Sequence, residues 1–166
     1  MSAYVGLAIA AVGGLLQSTI LHHLGFSGVH IDIVLLSVIV WGALRRWSEG
    51  LTWALFGGLS LDLLTAGPFG AATAGILVAA TVGNAIGRHL RPTHPFFTVV
   101  AIPFAVTAFY GIGAAFSWQS GAESLGPLSA NVIFPAIVVN SVVGVPLMVP
   151  LIWLDRLLTR SIWGTT

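Results

Sequence analysis

Residues 50–87 read GLTWALFGGLSLDLLTAGPFGAATAGILVAATVGNAIG. Two apolar runs meet at Gly67-Pro68-Phe69-Gly70, where proline and glycine supply the chemistry of a tight turn. Positions four apart share one face of a helix. In the first run that face carries Gly50, Ala54 and Gly58, then an acid, Asp62, then Ala66. In the second it carries Ala71, Gly75, Ala79, Gly83 and Gly87. The stretch reads as a hairpin of two closely packed apolar helices with one carboxylate at a depth where lipid would oppose it.

Working outward, the rest of the chain has the same character. Hydrophobic residues make up 57% and charged residues 7%, against roughly 25% charged in an ordinary soluble domain. An integral membrane protein follows. A spanning helix needs about 20 apolar residues, so 166 residues predict six transmembrane helices in one all-α domain, at about 3–21, 30–44, 49–65, 71–88, 96–116 and 129–154. No basic residue precedes the first apolar run, which predicts a permanent helix rather than a cleaved signal. Pro135, Pro146 and Pro150 predict a bend in the last span.

Orientation follows from the arginines. Arg45, Arg46, Arg88, Arg91, Arg156 and Arg160 are all six basic residues apart from histidine. They fall in the second connection, the fourth connection and the C-terminal tail. The positive-inside rule puts those places, and both termini, in the cytoplasm.

The small-residue stripes have two readings, internal packing of the body or a surface for a partner helix, and internal packing is expected, because the two helices are covalent neighbours. Residues 32 and 62 are equally far along the chain from Trp47, so Asp32 and Asp62 are expected at one height, about 20 Å from the cytoplasmic boundary. Asp32 is expected at headgroup level. Asp62 is either a structural polar centre or part of a polar cavity open to the outside. Gln17 and Asn140 are amides at membrane depth, each expected to bond a neighbouring helix. Asn140 shares a face with Ala136 and Gly144. The tryptophans, most of them toward helix ends, read as interface anchors.

Chemistry that the chain lacks narrows the function. There is no cysteine, hence no thiolate nucleophile or thiolate metal site. His22, His23 and His30 could be drawn with the two acids as a metal centre, but adjacent histidines point apart and no helical His-Xaa3-His pair exists, so neither a metal nor another cofactor is expected. The run GLSLD at 58–62 has Asp62 where a nucleophile elbow needs glycine, so Ser60 is not read as a nucleophile. The chain is read as a non-enzyme. A net charge of +1 argues against nucleic acid as a partner.

An acid opening the second span (HIDIVLLSVIVWGAL), a basic turn (RRWSEG), then GGLSLDLLTAGPFG running into a small-residue helix resembles the MreD family of bacterial rod-shape membrane proteins. The likeness covers about 32–87, with Asp32, Gly58, Asp62, Pro68 and Gly70 at the family's motif positions; Ile31 stands where the family usually has proline. The resemblance implies a bacterial inner-membrane scaffold of the peptidoglycan elongation complex that binds MreC, and through it RodA and a class B penicillin-binding protein. It also implies a fold similar to the substrate-binding subunits of energy-coupling-factor transporters. That fold leaves a second function open: a small-ligand-binding transporter subunit with an outward-facing pocket lined by Gln17, Asp32, Asp62 and Asn140.

Overall fold

A helix that is apolar on every side has to be enclosed by other helices, and Ile33–Leu44 (α1) is of that kind. In the computed structural model, which describes residues 31–65, 67–119 and 130–163, every residue from Val34 to Gly42 is buried. Four more helices follow: Trp47–Leu64 (α2), Ala71–Gly87 (α3), Pro95–Gln119 (α4) and Ala130–Trp163 (α5). All described elements are helical. α2 packs on α3, α3 on α4 and α4 on α5, and α1 lies against all four. The first expected span, with Gln17 and the histidines at 22, 23 and 30, lies outside the described residues.

Two helices, Pro95–Gln119 and the stretch Asn131–Leu157 of α5, are long and apolar enough to cross a membrane. α1 has 12 residues and α3 has 17, about 18 and 25 Å of helix. The expected span at 129–154 ends too early. No glycine or proline interrupts 155–163, and the Thr159 hydroxyl bonds the Asp155 carbonyl one turn back, so the helix continues into the arginine tail. Pro135, Pro146 and Pro150 lie inside that helix without ending it.

Both stripes are used inside the body. A methyl group on Gly58 would overlap the backbone of Thr73 across the α2–α3 hairpin. One on Gly50 would come 2.7 Å from the Cα of Gly42, and one on Gly83 3.0 Å from the carbonyl oxygen of Ile39. One on Gly87 would meet the Cβ of Ala43 at 2.9 Å, and one on Gly75 the ring of Phe109 at 2.7 Å. Gly144 on α5 faces the side chain of Ile102, while Ala54 and Ala79 are fully buried. Those at Gly50, Gly58 and Gly83 are backbone-to-backbone approaches, the main source of helix association when neither water nor lipid drives it strongly.

The glycines therefore differ in what a side chain would cost. At Gly58 the obstacle is main chain, whereas at Gly144 it is the tip of an isoleucine that can rotate. Gly58→Ala is expected to destabilise the protein by about 1–3 kcal/mol, and Gly144→Ala by clearly less. Thermal unfolding in detergent measures both; an equal loss at the two sites contradicts the assignment.

Candidate functional site

α3 begins at Gly70, whose φ of +91° is a left-handed conformation suited to glycine. A glycine cap has no side chain with which to accept the first free N–H groups of the helix. Asp62, one turn from the end of α2, accepts them instead. The Ala72 N–H donates to its Oδ1 at 2.9 Å, the Thr73 N–H to its Oδ2 at 3.0 Å, and the Thr73 hydroxyl to Oδ2. The carboxylate lies at the positive end of the α3 dipole, the stabilising side. Gly58 lies one turn before Asp62 and against the same threonine. Its missing side chain lets α3 come near enough for these bonds. Pro68 closes the turn by accepting the Ala71 N–H at 3.1 Å.

Asp32 does a different job. It is 6% exposed. It precedes α1, and its backbone N–H donates to Asn140 Oδ1 on α5 at 2.9 Å. Asn140 is fully buried and passes its own amide proton to the Ala136 carbonyl. Tyr110 on α4 lies beside the Asp32 carboxylate. At the opposite end of α1, Asn84 on α3 donates to the Gly42 carbonyl at 2.8 Å and accepts from Arg88 Nε at 3.2 Å. A side-chain amide thus secures the backbone at each end of the buried helix.

The arginines gather at one end of the bundle. Arg45 pairs with Asp155 on α5, donates to its carbonyl, and lies 5.3 Å from the centre of the Trp41 ring. Trp41 stacks on Trp53 at 4.4 Å. Both tryptophans are buried, at 0% and 2% exposure, which corrects their reading as interface anchors. Glycines and alanines on α1–α3 bring the helices close, and two stacked indoles fill the space left beside the Arg45–Asp155 pair. Trp47, Trp118 and Trp153 are exposed. Arg46, Arg88, Arg91 and Arg156 are exposed, and the side chain of Arg160 is outside the described set.

The two acids share the end of the bundle away from the arginines but engage different helices, the Asp62 carboxylate bonding α3 and Asp32 reaching α5 through its backbone N–H. Ser60 donates to the Phe56 carbonyl within its own helix. Among the described residues no three metal-ligating side chains come together. Thr73, Tyr110 and Asp155 are the partners that sequence reasoning missed. Comparison of the chain with protein-family models, with curated proteins and with solved structures gives no match.

Asp62→Ala leaves two N–H groups of α3 without an acceptor and is expected to destabilise the protein by about 1–3 kcal/mol. Asp62→Asn, which keeps one acceptor oxygen, should lose less. Combined with Thr73→Val in a double-mutant cycle, Asp62→Ala should show coupling, because the hydroxyl and the carboxylate act on each other. Strictly additive unfolding midpoints would mean that the short contact contributes nothing.

Proposed function

We propose that this protein is a multi-pass, six-helix membrane scaffold of the bacterial cell-wall elongation machinery, similar to MreD, with both termini in the cytoplasm. Its work is to hold a partner helix, that of MreC, and thereby to support RodA and its class B penicillin-binding protein. The observation that carries the reading is the use made of the polar groups at depth. The Asp62 carboxylate, the Asp32 backbone N–H and the amides of Asn140 and Asn84 are all engaged in holding the protein's own helices, an arrangement of a rigid body rather than of a reacting site. The hairpin positions that carry the resemblance, Gly58, Asp62, Pro68 and Gly70, act together on the start of α3.

A scaffold also needs an outer face. On α5, Phe134, Val138, Val142, Val145, Val149 and Trp153 are exposed and recur every three or four residues, one ridge along the helix. Such a ridge suits ridge-into-groove packing with a second membrane helix. The transporter reading is the weaker one, since both Asp62 oxygens are already occupied by α3 and Asn140 is fully buried.

Affinity purification from native membranes tests the proposal. Recovery of MreC with the wall-synthesis enzymes is the expected result, and an ATPase module or a tightly held small ligand would point to transport instead. Val142→Trp with Val149→Trp on the ridge should lower MreC recovery at least about fivefold, the equivalent of about 1 kcal/mol, without shifting the unfolding midpoint. Undiminished recovery would exclude the α5 ridge as the contact.

A further inference from the structure

A groove of about 730 Å³ runs along the outside of the α3–α4 pair, with Val82, Ala85 and Ile86 on one wall and Val100, Pro103 and Phe104 on the other. A second hollow of about 250 Å³ lies in the turn between the same helices, lined by His89, Leu90, Arg91, His94, Phe96 and Phe97. The two adjoin. The Leu90 N–H bonds the Ile86 carbonyl, extending α3 by part of a turn, so Leu90 stands below Ile86, and Phe96 stands one turn from Val100. An apolar trough thus opens at one end onto a cationic turn.

That turn reads RHLRPTH at 88–94, and no aspartate or glutamate occurs anywhere in 71–119. Arg45, by comparison, is matched by Asp155. Arg88 bonds the neutral amide of Asn84 through Nε, on the side of α3 that faces α1, and Arg91 is exposed. The His94 Nδ1 accepts the Phe96 N–H at 3.1 Å, so the neutral ring keeps its proton on Nε2 and is a donor there. The 25-residue helix α4 starts at the same place, adding the positive end of its dipole. Three donor side chains, His89, Arg91 and His94, line the hollow at the end of an apolar trough, and the local sequence supplies no carboxylate.

We propose that the α3–α4 groove binds an anionic phospholipid, with its phosphate held by Arg91, His89 and His94 and an acyl chain lying in the trough beside Phe104. A partner helix would bring apolar side chains to the trough and leave the donors unmatched. A phospholipid carries its anion directly at the end of its chains, matching both parts. Basic pockets between membrane helices recognise acidic headgroups in this way. The proposal rests on the membrane reading above and is independent of the scaffold's partner.

The test uses the full chain in nanodiscs of phosphatidylglycerol or phosphatidylcholine, with retained lipid counted by native mass spectrometry after transfer to mild detergent. Phosphatidylglycerol should be retained preferentially. An arginine near an anionic headgroup contributes about fivefold in affinity, so Arg91→Gln should reduce retention about fivefold. Because arginines also influence insertion, Ala85→Trp provides a second variant: it fills the trough, keeps every charge, and should also reduce retention. Equal retention of the two lipids, or phosphatidylglycerol retention unchanged in both variants, overturns the proposal. Full competition by inorganic phosphate would show an anion site without a lipid site and would also overturn it. Absence of the wild-type chain from the membrane fraction would instead defeat the membrane reading on which it rests.

Discussion

α1 is a helix of about 18 Å whose two ends lie inside protein, and the rest of the bundle is arranged around that constraint. The terminal N–H and C=O groups of a helix need partners, and in an apolar interior neither water nor lipid provides them. Asn140 takes the N–H just before α1, and Asn84 takes a carbonyl in its last turn. Both amides come from helices packed against α1, so the same bonds that satisfy the short helix fix the positions of α5 and α3. Arg45, just beyond it, reaches Asp155 and draws the C-terminal part of α5 to the same end.

The α2–α3 hairpin meets the same requirement differently. α3 starts from a left-handed glycine, which permits the turn but cannot cap it. The acceptor comes from Asp62 on α2. For the carboxylate to reach two N–H groups and a hydroxyl, α2 and α3 must nearly touch, and Gly58 gives that proximity. A charged group that would be costly in lipid becomes favourable because it stands at a helix N-terminus with three donors. Glycine, acid, proline and glycine in this order are therefore one device, and none of its members has the same use alone.

Much of this arrangement was legible in the sequence. The spacing of Gly50, Ala54, Gly58 and of Gly75, Ala79, Gly83, Gly87 marked two close-packing faces, and periodicity is enough for that inference. The turn at Pro68 and Gly70 could be read from residue type. Asp62 was conspicuous because an acid in an apolar run requires an explanation, but its partner was not, since a threonine in a first turn is unremarkable until α3 is placed. Tyr110 and Asp155 lie far along the chain from Asp32 and Arg45, and nothing local pairs them. Trp41 and Trp53 misled for a related reason: a tryptophan toward a helix end reads as an anchor at an interface, and only tertiary packing reveals that the two stack on each other inside. The ends of α4 and α5 were set too short because hydropathy falls before helix propensity does.

The consumption of polar groups inside the bundle also shapes the outside. With the two amides and the Asp62 carboxylate directed at backbone, the outer surface of α5 is left as an apolar ridge, while the α3–α4 pair forms a trough that ends at Arg91 and two histidines. α4 lies between the two, so a helix on the ridge and a lipid in the trough would meet different walls. A body whose interior bonds are this short-range can present both faces without a moving part. Its rigidity comes from helix ends tied by side chains of other helices, and the binding of a partner at one face need not disturb those ties.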